Sequence, residues 1–255
     1  MALKAKKIFG QHFLKNNDIC KKITNNIDIK KCDNILEIGP GEGALTKYLI
    51  QKTSNLKVIE IDNDASDLLK KKFSDLYIIT GDFLKYNLSQ IKWKKYTIVG
   101  NFPYNISTQI LFKILDNKNS VSQVIGMFQK EVAERICSSP KSKKYGIPSV
   151  LIQAFFDCEI LFDVKREDFM PVPNVDSTVI KLRRNQKINI NCDYNKFVQV
   201  VKAGFSQRRK KLKNALKNFT KLDENKLKPI ILKRAEELSV SQFVQLTNML
   251  FPIKK

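Results

Sequence analysis

Histidine occurs once in 255 residues, as His12. A single imidazole has no partner for a catalytic triad or a metal site, so a satisfied hydrogen bond to backbone or ligand is the use expected of it. The five cysteines (Cys20, Cys32, Cys137, Cys158 and Cys192) are odd in number and never form a Cys-x-x-Cys pair. That argues against a disulfide framework and a zinc site, and no metal is expected. No apolar run approaches the roughly 20 residues that cross a bilayer. Lys4, Lys6 and Lys7 are followed by no signal-peptide core. The chain is expected to be cytoplasmic, reduced and monomeric, with no membrane partner. Acidic residues are also scarce: 25 Asp and Glu face 46 Lys and Arg, a net charge of +21. Most of the basic residues are Lys, which a genome's composition can produce alone. Their distribution argues otherwise: residues 185–255 carry 16 Lys and Arg against 5 Asp and Glu, leaving +10 for the first 184 residues. A concentrated positive segment points to nucleic acid.

A hydrophobic content of 43% supports a real core, and the length suits one large α/β domain plus a smaller one. The most informative stretch is Asn101-Phe102-Pro103-Tyr104. It follows an apolar run, Tyr96 to Gly100, that reads as a buried parallel strand. It precedes Ile106 to Leu115, which has helical spacing and a Ser107/Thr108 start signal. The tetrad thus places an amide, two rings and a stiffened backbone at the carboxyl edge of a sheet, where open α/β sheets bind ligands. Attack by an adenine amine wants such a site. The Asn101 side-chain oxygen and the Phe102 carbonyl could each accept one N–H, drawing the nitrogen towards tetrahedral geometry. Pro103 fixes φ and lacks an N–H, and Tyr104 offers a face for a base taken out of its stack. An ordinary strand-ending turn is the bland alternative.

Upstream, a basic arm leads through Phe9-Gly10-Gln11-His12-Phe13-Leu14 to a helix with Ile19, Ile23 and Ile27 on one face. The strand Asn34 to Gly39 runs into Pro40-Gly41-Glu42-Gly43-Ala44 and the helix Leu45 to Gln51, the first βα unit of a doubly wound fold. Gly39, Gly41 and Ala44 equally satisfy the dinucleotide pattern G-x-G-x-x-A. The next strand, Leu56 to Asp62, ends in acids placed to bind ribose hydroxyls, as either NAD or S-adenosylmethionine would require. Leu76 to Phe83 brings Asp82 and the Phe83 ring to a strand end, suited to an adenine ring and its amino group. Val121 to Phe128 reads as a strand, Lys130 to Cys137 as a helix, Ser138 to Gly146 as a basic loop, and Ser149 to Phe156 as a helix. The β runs Glu159 to Val164 and Ser177 to Leu182 flank a proline-rich loop opened by Phe169, which could stack on a flipped base opposite Tyr104 or sit in the core. Asn185 to Asn195 reads as a linker, giving domains 1–184 and 185–255. Helices are expected over Phe197 to Phe205, Lys210 to Phe219, Ile230 to Leu238 and Ser241 to Phe251. The run Arg208-Arg209-Lys210-Lys211 within the second domain is read as a phosphate contact rather than a solvated face.

Taken in order, these motifs resemble the small-subunit rRNA adenine N6,N6-dimethyltransferase family. The resemblance runs from Phe9 to Leu14 through Glu37-Ile38-Gly39-Pro40-Gly41, Glu60, Gly81-Asp82 and the tetrad with Asn105-Ile106-Ser107. It continues through Gln129 to Arg135 and Phe169 to Ser177, and ends at Phe205 to Lys210. It implies a Rossmann-like methyltransferase sheet with a small all-helical C-terminal domain. It further implies S-adenosylmethionine as cofactor, held by His12, Leu14, Gly39, Glu60, Asp82 and Asn101. The implied reaction is dimethylation of two adjacent adenosines in the 3′-terminal hairpin loop of 16S rRNA, on the immature 30S subunit. His12 stands where many members have Asn, Phe102 where many have Leu, and Asn174 where many have Lys. The erythromycin-resistance methylases share the Asn-x-Pro-Tyr logic, but the Gln207 to Lys210 run favours the small-subunit family. A non-catalytic RNA-binding assembly factor would not need the intact glycine loop, Glu60, Asp82 and tetrad. An NAD oxidoreductase would explain neither the tetrad nor the charge.

Overall fold

The computed structural model describes residues 3–30, 32–185, 190–217, 219 and 224–252. The chain divides into two compact units, Met1–Ala133 with Cys158–Arg184, and Glu134–Asp157 with Asn185–Lys255.

The first unit opens with β1 (Phe13–Leu14) and α1 (Asn17–Asn25). Asn16 caps α1, its side-chain oxygen accepting from the Asp18 and Ile19 amides. There follow β2 (Ile35–Ile38), α2 (Thr46–Leu49), β3 (Leu56–Glu60), α3 (Asn63–Lys72), β4 (Tyr77–Thr80), β5 (Tyr96–Asn101), α4 (Ser107–Asp116) and β6 (Val121–Gln129). After an excursion into the second unit come β7 (Phe156–Val164), β8 (Phe169–Met170) and β9 (Ser177–Arg184). The main sheet has the order β4-β3-β2-β5-β6-β9-β7. β2 to β6 run parallel, and β9 is antiparallel to β6. All four residues of β2 and the first five of β5 are buried, as a parallel strand covered on both faces requires. The chain steps outward in opposite directions from β2 and β5, so the crevice at their carboxyl ends is the topological switch point. One apolar cluster joins Ile35, Val58, Val99, Ile125 and Val179 of the sheet to Cys20 and Ile23 of α1.

The second unit holds the second half of α5 (Lys130–Cys137), then α6 (Ile147–Gln153), α7 (Tyr194–Ser206), α8 (Leu212–Ala215), α9 (Glu224–Ile231) and α10 (Val240–Leu250). Stacked Phe205 and Phe243 rings, with centroids 5.9 Å apart, join α7 to α10. α6 also packs on α7, so Glu134–Asp157 belongs with the C-terminal helices and the boundary is not a single cut at 184/185.

Four expected elements differ. The Ser149 to Phe156 helix ends at Gln153, and Phe156 opens β7. α7 starts at Tyr194 on an Asp193 cap, inside the expected linker, of which 186–189 lie outside the described residues. Of the expected Lys210 to Phe219 helix, the described residues form only α8, and 218 lies outside them. Four successive cations oppose the positive end of the helix dipole, and Lys211 offers no capping acceptor. The Ile230 to Leu238 helix is instead the end of α9 followed by a 3-10 turn, Ala235–Glu237. The Lys233 carbonyl between them accepts from the Leu212 amide at 2.8 Å, which draws this backbone out of the helix.

Candidate active site

A cleft lies along the carboxyl ends of β2 to β5, lined by Gly39, Glu60, Gly81, Asp82, Asn101 and Tyr104 with Phe9 to Leu14 from the N-terminal arm. Each strand contributes at its last residue or just beyond it, because side chains there leave the ladder and face the crevice.

Gly39 follows β2 with φ +66°, a conformation that costs an L side chain about 1–2 kcal/mol. A Cβ built at Gly39 or at Gly81 meets no atom within 4 Å. Both glycines line the cleft, so their missing side chains leave room for a ligand to approach the backbone. Of the acids ending β3, Asp62 is spent on the arm: Lys6 Nζ lies 2.5 Å from its Oδ1 and Gln11 Nε2 donates to its Oδ2 at 2.9 Å. Burial pushes the Asp62 carboxyl up, but the Lys6 and Gln11 hydrogen bonds outweigh it and hold it below its usual range. Glu60 is the acid that faces the cleft. Its two oxygens accept the Gly41 and Asp62 amides, each at 2.9 Å, and a carboxylate has lone pairs left for ligand hydroxyls. Burial raises the Glu60 carboxyl, partly offset by those amides. Asp82 accepts the Leu84 amide on Oδ1 at 2.8 Å, and Phe83 beside it is buried.

The Asn101 amide nitrogen donates to the His12 carbonyl at 2.8 Å. Only a donor can meet a carbonyl, so this bond fixes the amide's orientation and leaves Oδ1 as its acceptor. Among the described residues no donor occupies Asn101 Oδ1 or the Phe102 carbonyl. The Phe102 ring does not join the site. It is fully buried and meets Phe128 edge-on at 5.1 Å. Gly100 and Gly126, paired across β5 and β6, make its space: a Cβ at either would come within 2.6 Å or less of the ring. The tetrad therefore exposes one ring, not two. Its turn is closed by the Ile106 amide on the Pro103 carbonyl at 3.2 Å and the Ser107 hydroxyl on the Tyr104 carbonyl at 3.2 Å. Ser107 thus braces the turn and does not cap α4.

Tyr104 is half-buried, and its hydroxyl is hydrogen-bonded to Ser177 Oγ. The ring stacked on it is that of His12, at 5.6 Å and 22°. His12 Nδ1 also lies 2.7 Å from the Pro171 carbonyl, the backbone bond expected of the lone histidine. Phe169 is not that ring. It is 1% exposed and sits in the core cluster, because the side-chain alternation of β8 turns Phe169 inward and Met170 outward. Leu14 lines the cleft while its side chain joins the same cluster, in register with Phe169.

Sequence reasoning did not single out Glu37. It lies in β2, lines the cleft and is fully buried, with the Thr46 hydroxyl donating to it at 2.7 Å. One acid inside an otherwise apolar strand was the available signal. Burial, opposed by the Thr46 bond and aided by nearby Glu60, pushes its pKa from 4.5 up to about 8. The folded chain therefore holds this proton more tightly than the unfolded one. Its contribution to stability is intact below about pH 4.5, falls as pH rises and levels off above about pH 8. Glu37→Gln mimics the neutral acid. Wild type should lose about 3 °C or more of Tm relative to Glu37→Gln between about pH 5 and 8; parallel melting curves would show that Glu37 is ionised throughout.

Within the second unit, Arg208 is already engaged. Its Nε donates to Glu236 Oε2 at 2.8 Å and its Nη2 donates to the Lys143 carbonyl. The Lys141 amide also binds the Glu236 carbonyl at 2.7 Å, so the basic loop Ser138 to Gly146 is held in place. Arg209, Lys210 and Lys211 are exposed, which makes them, and not Arg208, the open cations of the run. Among the described residues no cluster of His, Cys, Asp or Glu could hold a metal, and no helix is long and apolar enough to cross a membrane.

The family model of ribosomal RNA adenine dimethylases matches residues 2–251. The ribosomal RNA small subunit methyltransferase A of Cytophaga hutchinsonii is 49% identical over 97% of this chain and 98% of its own length. The crystal structure of a dimethyladenosine transferase from Plasmodium falciparum superposes with a TM-score of 0.80 at 26% identity, over 92% of this chain and 96% of that one. That of the 23S rRNA methyltransferase ErmE gives 0.73 at 22%, over 93% and 99%, a likeness of fold. The chain belongs to the ribosomal RNA adenine dimethylase family.

Proposed function

We infer that this protein dimethylates N6 of two adjacent adenosines in the 3′-terminal hairpin loop of 16S rRNA. It does so as a cytoplasmic monomer acting on the immature small subunit, with S-adenosylmethionine as methyl donor. The observation that carries the reading is the pair of open acceptors, Asn101 Oδ1 and the Phe102 carbonyl, at the end of β5. When bound, the cofactor supplies a methyl group activated by a positive sulfonium. Glu60 would hold its ribose hydroxyls and Asp82 its adenine amine, with the backbone of Gly39 and Gly81 leaving the room described above. His12, Leu14 and Asn101 complete that lining. The two acceptors match the two N–H groups of the target amine and stabilise the positive charge that grows on nitrogen. Tyr104 stacks the flipped ring and Pro103 holds the carbonyl still. After one methyl transfer a single N–H remains, so monomethyladenosine should form early and be converted later. The test is tritiated methyl transfer to unmethylated small and large subunits followed by nucleoside analysis. Label confined to large subunits would overturn the assignment.

Cofactor choice can be tested by calorimetry. S-adenosylmethionine should bind and NAD should not. Glu60→Ala should weaken binding by about 1–3 kcal/mol, since it removes a ligand acceptor and strands the Gly41 amide. Tight NAD binding with no S-adenosylmethionine binding would sink this.

RNA affinity should fall steeply with salt. Arg209→Ala and Lys210→Ala should each lower the slope of log K against log salt by about one. Arg208→Ala should mainly loosen the second unit, by less than about 1 kcal/mol for a half-exposed ion pair. Unchanged slopes in the first two variants would mean that the run is only solvated.

A further inference from the structure

Met170, Val172 and Val175 are 51%, 52% and 43% exposed, three large apolar side chains facing water at the end of β8 and in the short connection from it to β9. Single exposed apolar residues need no explanation, but a cluster marks an interaction surface. This one is held stiffly. Pro171 and Pro173 restrict its backbone, and Pro173 is buried. Asp176 accepts the Arg166 amide on Oδ1 at 3.1 Å and the Lys130 amide on its carbonyl at 3.0 Å. Both ends are tied to the cleft: Pro171 and Met170 through His12 and Phe13, and Ser177 through the Tyr104 hydroxyl. The apolar rim is thus continuous with the stack of His12 on Tyr104.

We propose that this rim is a wedge, with Met170 and Val172 foremost, that fills the gap left in the RNA stack when the target adenine swings onto Tyr104. The proposal rests on the RNA reading above and adds the surface that makes extrusion affordable. Pulling a base from its stack costs a few kcal/mol, and apolar side chains such as Met and Pro inserted at the vacated step offset that cost. A rim already rigid loses little conformational entropy on insertion. Nucleobases are the favoured occupant, because the rim adjoins the slot proposed to take the extruded base. The exposed cations Lys15 and Lys165 flank the same β1–β8 ribbon and suit the adjoining phosphates.

The test uses the full-length protein and unmethylated small subunits. One set carries native rRNA, and in the other the nucleotides flanking the target adenosines are replaced by uridines, which stack weakly. Met170→Ser/Val172→Ser should lose about tenfold or more in kcat/KM on native subunits, equivalent to about 1.4 kcal/mol. The deficit should shrink to about threefold or less on the weakly stacked set. Cofactor affinity should not change, and Met170→Leu/Val172→Ile should restore the rate. A photo-crosslinker, Val172→benzoylphenylalanine, should mark nucleotides beside the adenosines. Equal losses on both sets, no loss, or crosslinks to a ribosomal protein would each overturn the wedge while leaving the enzyme assignment standing. A wild type that labels neither set would overturn both.

Discussion

Asn101→Ala should cut methyl transfer by about 100-fold or more, some 3 kcal/mol of transition-state stabilisation. Two separate features are lost. Oδ1 is one of the two acceptors proposed to hold the amine, and the amide nitrogen's bond to the His12 carbonyl ties the arm to the end of β5. Asn101→Asp separates them: it keeps an acceptor at the same place but cannot donate to the His12 carbonyl, and it adds a charge that repels it. If orientation matters, the aspartate variant should fall well below wild type although its acceptor remains. The loss should appear chiefly in kcat, because charge develops on the nitrogen only as the new bond forms. Steady-state kinetics on unmethylated small subunits would measure this, with melting curves to confirm folding. Full activity in Asn101→Ala would reduce the tetrad to an ordinary turn.

The sheet and its switch point were legible because β2, β3 and β5 are short apolar runs closed by glycine or polar residues. That pattern has few other readings. The glycine loop, Glu60, Asp82 and the tetrad could be placed at strand ends for the same reason. What stayed hidden depended on pairing across long separations. The bond that orients Asn101 comes from His12, 89 residues away, through a two-residue ribbon too short to leave a periodic signal. A phenylalanine one or two residues before a proline looks the same whether its ring enters the core or a base slot, so Phe102 and Phe169 could not be assigned locally. In a run of four cations, nothing in the run reveals that Arg208 is held by Glu236 and Lys143.

Phe102 leads to the second large effect, because its ring and its carbonyl belong to different parts of the protein. The ring is fixed in the core by the space over Gly100 and Gly126, while the carbonyl stays open at the end of β5 as the proposed acceptor. A Cβ at Gly126 would stand 2.4 Å from one edge of the Phe102 ring and 2.7 Å from the Phe128 ring, with no flexible side chain to yield. Overpacking of this kind costs about 1–3 kcal/mol, and relief requires Phe102 to move. Its carbonyl would move with it. A displacement near 1 Å at a reacting centre can cost about 100-fold in rate. Gly126→Ala, on a central strand, should therefore lower stability by about 1–3 kcal/mol and methyl transfer by about 10- to 100-fold. Cofactor affinity should hold, since Gly126 does not line the cleft. Phe102→Leu in the same chain removes the ring edge that collides and keeps the carbonyl. The double variant should recover most of both losses, and a thermodynamic cycle over the four proteins would give a favourable coupling. Strict additivity of the two substitutions would mean that the ring does not set the position of the carbonyl, and that the two glycines serve only the core.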